Sequence, residues 1–436
     1  MLTPETDAQF VETCREEGIN PAEAARSIAD GTMVFLRSEA SRHMENFKPL
    51  LVGTGTRPKI SGLIGLGPRD TDRQAIIDTM SVILAARPDA VMDLTTNPEG
   101  VALRADLKEV MGVPLGACLT YDLFTDPRRR MSRAEFLERF EMGLATGVDY
   151  VLVHMGITPA ISEAMKKSTR IVPTTSRGGG LIDRYMRIQH CDNPLIEHLD
   201  GIIEICRRRE VVLDLGDIFR PACTADAAND ELKWMELRLL AQLRTEVLRG
   251  DVQVLCESGG HIPLHLIPEL IPAYKEALGG APLWLAGPMV IDNAVTLDQV
   301  VNTLGILAAG QCGGDMFASI THNEHYAMPT APDTAEAIRF ARVAIAALEL
   351  ARGKESETTR QRAMGQSRRR NSWAEQAELA LYPDLADQAF IQEGLKDGAP
   401  CTICGKYCPL VIVHKDDEKP VTASAVRPLP VIKRED

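Results

Sequence analysis

The chain has 436 residues, 45% of them hydrophobic and 25% charged, and a formal net charge of −13. This supports one large packed domain with smaller additions and excludes a disordered polymer. The acidic balance also excludes an extended basic surface for nucleic acid, but not a local phosphate pocket. No run approaches the ~18–20 consecutive apolar residues of a membrane span, and MLTPETDAQF lacks the basic and apolar parts of a secretion signal. A cytoplasmic protein with no membrane or nucleic-acid partner is expected.

Residues 1–55 read as a polar helical region, with a helix start at Pro21. A strand–helix rhythm follows over 56–335. Its apolar runs are ISGLIGLG from Ile60, AVMDLT from Ala90, VPLGACL from Val113, YVLVHMG from Tyr150, RIVPTTS from Arg170, VVLDLGD from Val211, VQVLCESGG from Val252, PLWLAG from Pro282 and DMFASIT from Asp315. Runs apolar throughout suit strands buried on both faces. Between them lie helical stretches such as ELKWMELRLLAQLRTEVLRG. The predicted fold is α/β, a (β/α)8 TIM-like barrel, with a doubly wound open sheet as runner-up. Nine runs exceed eight strands, so one lies outside the barrel or is not a strand. Helices are predicted over 336–395, where Arg368, Arg369 and Arg370 read as a solvated helix face. A cysteine-bearing tail fills 396–436, and its Pro-rich, charged end reads as mobile.

Several runs end in polar tails, which a barrel would gather at one mouth. TTSRGGG places Ser176, Arg177 and Gly178 ahead of a helix, a pattern for a phosphate cradle or for a tight turn. GDIFRPACTADA sets Asp217 three residues before Arg220, either a ring-and-phosphate clamp or a local ion pair. Glu257 and His154 end other strands. SGGHIPLH (His261, His265) and HNEHYAMP (His322, His325) offer histidines for a divalent metal. Ten cysteines in a cytoplasmic chain do not suggest a disulfide framework. Cys118, Cys206 and Cys256 sit in apolar runs and read as buried thiols. Cys401, Cys404 and Cys408 form C-x2-C-x3-C, which leaves open a [4Fe–4S] cluster with one free iron, a zinc site, or incidental thiols.

Taken in order, SRGGG, NPLIEHLDGIIEI, LGDIFRPACTADA, ESGGHIPLH and the clustered cysteines resemble the phosphomethylpyrimidine synthases of thiamin biosynthesis and their relatives, over residues 56–410. These are noncanonical radical S-adenosylmethionine enzymes. The resemblance implies aminoimidazole ribotide as substrate, contacted by Met92, Tyr121, His154, Ser176, Arg177, Gly178, Asp217, Arg220 and Glu257. It implies a [4Fe–4S] cluster on Cys401, Cys404 and Cys408 that cleaves S-adenosylmethionine. His261 and His325 would hold a second divalent metal (zinc, iron or cobalt). It further implies a homodimer and an electron donor such as flavodoxin or ferredoxin. Glu257 and Asp217 join the three cysteines as the expected catalytic groups.

The sequence departs from that family at defined places. Leu63 stands where INANIG has a substrate-binding asparagine, Trp284 where a tyrosine is expected, and the last two cysteines are spaced by three residues, not four. The phosphate and ribose contacts are kept while the ring contacts change. The expectation is therefore the related 5-hydroxybenzimidazole synthase, which converts the same substrate into a cobamide lower-ligand precursor. The thiamin pyrimidine synthase is its alternative. More distant readings are a zinc-dependent barrel hydrolase and a non-catalytic scaffold.

Overall fold

The computed structural model describes residues 7–68, 72–228 and 230–414. The Pro-rich end predicted to be mobile lies outside the described residues. The chain divides into two compact units, Met1–Ile345 and Ala346–Asp436.

The first unit opens on helices Ala8–Glu17 and Pro21–Ala29. Each has a side-chain cap, Asp7 accepting from the Phe10 N–H and Asn20 from the Ala22 N–H. Two strands follow, β1 (Met33–Leu36) and β2 (Leu50–Gly53), paired antiparallel. They correct the all-helical expectation for residues 1–55. MVFL and LLVG are too short to show a period, and their fold is decided by packing: Phe10, Cys14, Ala24, Met33, Phe35 and Leu51 close a small core.

The barrel strands are β3 (Lys59–Ile64), β4 (Ala90–Asp93), β5 (Leu115–Cys118), β6 (Tyr150–Val153), β7 (Val212–Leu215), β8 (Val254–His261), β9 (Leu283–Met289) and β10 (Met316–Ala318). All pair in parallel in that order, and β10 closes on β3. The predicted eight-stranded barrel is thus observed. The surplus run is RIVPTTS. Its Ile171 and Val172 N–H groups donate to the Asp226 carboxylate at 2.9 and 3.0 Å instead of a sheet ladder. Pro173 beside them has no N–H to offer a neighbouring strand.

The register fixes which side chains fill the barrel. A Cβ on Gly62 would meet Ile338 of the surrounding helix Ala331–Ala351, so Ser61 and Leu63 on either side point inward. Pairing carries that face round through Met92, Gly116, Tyr150, Asp214, Glu257 and Trp284. A Cβ on Gly116 would lie 2.3 Å from the Tyr150 ring, so glycine is what lets that ring fill the interior.

Asp214 is fully buried, and neither carboxylate oxygen has a hydrogen-bond partner among the described residues. Burial, reinforced by the neighbouring carboxyl groups of Glu257 and Asp217, raises its pKa well above the ordinary value, so it carries its proton. The unfolded chain ionises this group above about pH 4. Folding stability is therefore lost as pH rises from there toward the folded pKa. Asp214→Asn removes this titration. Its stability relative to wild type should grow by up to ~1.4 kcal/mol per pH unit above pH 4, measured by urea denaturation at stepped pH. Parallel pH profiles would contradict the assignment.

Helices Glu355–Arg369, Trp373–Leu379 and Pro383–Gln392 build the second unit. Trp373 packs edge-on against Phe390 at 5.4 Å and donates its indole N–H to the Ala399 carbonyl at 3.0 Å. Arg368, Arg369 and Arg370 are exposed at a helix C-terminus, where positive charge suits the helix dipole. No helix among the described residues is long and apolar enough to cross a membrane.

Candidate active site

The segments that follow β6 and β7 bring His154, Asp217 and Arg220 to Glu257, which lies within β8. Arg220 donates from Nη1 to Asp217 Oδ1 at 2.8 Å and to Glu257 Oε1 at 3.1 Å. The Asp217 N–H donates to Glu257 Oε2 at 3.0 Å. Behind them, Lys233 Nζ bridges Asp217 Oδ2 at 2.8 Å and Glu236 Oε2 at 2.9 Å. Glu236 in turn accepts from the Ile218 N–H at 2.5 Å. Three carboxylates thus face two cations, and the set is neutral when one carboxyl keeps a proton. Burial drives Asp217 up, but Lys233 and Arg220 outweigh it and hold it below the ordinary carboxylate range. Glu257 is pushed up by burial and by Asp217, against the pull of Arg220. Glu236 is raised by burial as well. A cleft that sorts its acids into one ionised and one protonated partner is equipped for proton transfer.

His154 follows β6. Its Nδ1 lies 3.0 Å from Thr120 Oγ1 and 3.9 Å from Cys118 Sγ. Burial, helped by Arg220, lowers its pKa to about 3, so the imidazole is neutral. Asn193, at the start of NPLIEHL, donates to the His154 and Ile157 carbonyls, both at 3.2 Å, and so fixes the strand end from below.

Ser176 caps the helix Arg177–Gln189, accepting the Gly179 N–H at 3.1 Å. This N-terminus points its positive dipole at the same region, as an anion site requires. The Arg177 guanidinium lies 5.2 Å from the Tyr121 ring centroid, and Tyr121 is stacked 6.5 Å from His154. Gly178 has a steric role: a Cβ there would lie 2.2 Å from the His154 ring. Met92 faces inward on β4 next to Leu63. Leu63, Arg177 and Glu324 line a cavity of about 90 Å³ at the same end.

Of the four mouth histidines, His261 and His325 meet, with ring centroids 5.3 Å apart at 64°. His265 is exposed, and His322 lies 3.9 Å from Asp333. His261 Nδ1 pairs with Asp292 Oδ1 at 2.7 Å and His325 Nδ1 with Asp298 Oδ2 at 3.0 Å. Each ring is thereby left an outer nitrogen for a ligand bond, which fits a divalent metal held by two histidines.

In the second unit, Cys401 and Cys404 share a turn and Cys408 starts the helix Pro409–His414. The Gly405 N–H donates to the Cys401 carbonyl and the Tyr407 N–H to the Cys404 carbonyl, both at 3.0 Å, which compacts the segment. Backbone N–H groups of Cys404 and Ile403 hold the Cys401 thiol below its ordinary value. Burial and the thiolates of Cys401 and Cys408 push Cys404 up. A metal centre would relieve that mutual repulsion, and three thiolates with no fourth cysteine nearby fit a cluster with one open iron. Among the described residues no three His, Cys, Asp or Glu side chains already stand as a metal cage. The segment supplies the donors and the tight chain path. As expected, Cys118, Cys206 and Cys256 are buried in the barrel unit.

Sequence reasoning missed Lys233, Glu236, Asp292, Asp298 and Glu324. The first two left a signal: they fall on the apolar face of helix Glu231–Arg249, among Leu232, Leu237 and Leu240. Charges placed in a buried stripe need partners.

Fold and site together define a barrel enzyme with an anion-ready mouth, a proton-holding carboxylate cluster and donors for metal centres. The chain belongs to the Radical SAM ThiC family, which matches residues 3–415. Relatives named phosphomethylpyrimidine synthase include those of Geobacter metallireducens (31% identical, covering 94% of both chains) and Desulforamulus reducens (33%, covering 91% of this chain and 93% of that one). Another is that of Thermus thermophilus, 32% identical over 92% of both chains. The family implies a [4Fe–4S] cluster and S-adenosylmethionine.

Proposed function

We propose that this chain is a radical S-adenosylmethionine lyase that rearranges aminoimidazole ribotide into the phosphorylated pyrimidine precursor of thiamin. The observation that carries this reading is the full-length similarity to relatives bearing that name. It supports the pyrimidine product better than the benzimidazole product favoured by the sequence reading. The cysteines Cys401, Cys404 and Cys408 hold the cluster, which when bound supplies reductive cleavage of S-adenosylmethionine. Ser176, Gly178, Arg177 and Arg220 bind the substrate phosphate through backbone N–H groups, a hydroxyl and guanidinium groups. Neutral His154 and Tyr121 position the ring, with Met92 packed below it. Asp217 stays ionised and orients Arg220, while Glu257 holds a proton that it can give to the rearranging sugar and, once ionised, recover from it. His261 and His325 hold a divalent metal at the mouth. The active assembly is a homodimer fed by a one-electron donor of the flavodoxin or ferredoxin type.

One observation favours the benzimidazole product as a second reading. Leu63 faces into the barrel beside the cavity that Arg177 and Glu324 line, and Trp284 faces in on β9 with its indole N–H unpaired among the described residues. Both are positions where the sequence departs from the pyrimidine synthases. The test is anaerobic incubation of reconstituted, reduced protein with S-adenosylmethionine and aminoimidazole ribotide, followed by product mass. A phosphorylated pyrimidine is expected. A hydroxybenzimidazole selects the second reading, and unchanged substrate in the presence of an intact cluster overturns both.

A further inference from the structure

The segment Val290–Asp298 leads from β9 into the helix Asp298–Gln311. In the structure it carries both carboxylates that touch the two mouth histidines. Asp292 Oδ1 is 2.7 Å from His261 Nδ1, and Asp298 Oδ2 is 3.0 Å from His325 Nδ1. The histidines come from different parts of the chain, one ending β8 and one following β10. A single short arm therefore serves both.

We propose that Asp292 and Asp298 are positioning residues that make His261 and His325 a metal-binding pair, so that the segment Val290–Asp298 acts as one orienting arm for the site. The inference rests on the two-histidine metal reading above. A neutral imidazole has one N–H and one lone pair. When Nδ1–H donates to a carboxylate, the lone pair is left on Nε2, the ring angle is fixed, and the ligand becomes more basic. Two rings 5.3 Å apart, each with Nδ1 turned to its own carboxylate, are set in this way at once.

The two carboxylates are themselves anchored, by different means. The Asp298 side chain is only 9% exposed and begins its helix, where negative charge suits the dipole. Asp292 is 37% exposed and would swing freely on its own. It is held through its other oxygen, Oδ2, which accepts the Thr224 N–H at 2.8 Å and the Thr224 hydroxyl at 2.6 Å. Thr224 lies just beyond Asp217, Arg220 and Pro221, and the Pro221 carbonyl accepts the His261 N–H at 2.8 Å. The loop that carries the substrate-side Arg220 thus also braces the metal-side His261.

The test uses metal-free full-length protein in which Cys401→Ser, Cys404→Ser and Cys408→Ser keep the tail thiols from taking the ion (the parent called wild type below, in which every variant is made), titrated with Co²⁺ and read by its visible ligand-field spectrum and by competition with a chromogenic chelator. Wild type should bind Co²⁺, and His261→Ala should abolish the signal. Asp292→Ala and Asp298→Ala should each weaken Co²⁺ binding by about 10–100-fold and change the spectrum. Asp292→Asn and Asp298→Asn keep an oxygen that accepts Nδ1–H, so they should recover part of the loss. Wild-type affinity and spectrum in both alanine variants would overturn the inference while leaving the histidine site intact. Co²⁺ binding unaffected by His261→Ala would instead remove the metal-site reading, and the inference with it. Thermal unfolding of each metal-free variant separates these outcomes from a folding defect.

Discussion

Gly178→Ala should reduce turnover of aminoimidazole ribotide by about 10²-fold or more in a protein that still folds. The added methyl would lie 2.2 Å from the His154 ring, where no real contact is tolerated. The ring has nowhere to go: it is buried, bonded to Thr120 Oγ1 and packed near Cys118 and Tyr121. Relief must come from moving the helix N-terminus proposed as the phosphate cradle or from moving His154, and either displaces a proposed substrate contact. The overpacking should cost about 1–3 kcal/mol of stability, offset in part because alanine is a better helix former than glycine. Circular dichroism should stay close to wild type and thermal unfolding should fall modestly, while kcat/KM collapses. Gly180→Ala, two residues along with nothing within 4 Å of its Cβ, is the matched control and should be nearly silent.

Asp217→Asn should cost about 3–5 kcal/mol of stability. Its carboxylate is fully buried and answers both Lys233 and Arg220 at 2.8 Å. An amide leaves those two cations facing each other with too little negative charge. The pH dependence identifies the cause. The folded pKa of Asp217 is depressed below the ordinary 3.8, so its contribution is fully present above that value and is lost as pH falls through the folded pKa. The gap between wild type and variant should be full at pH 5–7 and close in strong acid. A gap independent of pH would place the damage in packing instead.

The barrel was readable in the sequence because parallel strands buried on both faces leave unbroken apolar runs, and eight of the nine runs are strands. RIVPTTS misled because β-branched residues also suit a loop whose N–H groups are taken by an acid distant in sequence, here Asp226. The β1–β2 pair was missed because four-residue strands have no period to detect. Asp217, Arg220, Ser176 and Gly178 were legible as residues that follow a strand or open a helix; Glu257, read as ending its strand, lies inside β8, which runs on through SGGH. Their supports were less so. Lys233 and Glu236 required noticing charges inside an apolar stripe. Asp292 and Asp298 act on histidines far away in sequence, and no local pattern shows that. The product class is the least legible feature. The proposed product rests on similarity to the named synthases, while the two departures that point the other way, Leu63 and Trp284, act through the shape of the barrel interior and not through a motif.

The assignment of the cluster to the tail cysteines is tested most directly by anaerobic reconstitution of wild type and Cys404→Ala, with iron and sulfide analysis. Both are then incubated, reduced, with S-adenosylmethionine and aminoimidazole ribotide, and 5′-deoxyadenosine is quantified. Wild type should carry about four irons per chain and release 5′-deoxyadenosine only with substrate, and the variant should do neither. Substrate conversion by wild type without iron, or undiminished 5′-deoxyadenosine from Cys404→Ala, would contradict the assignment.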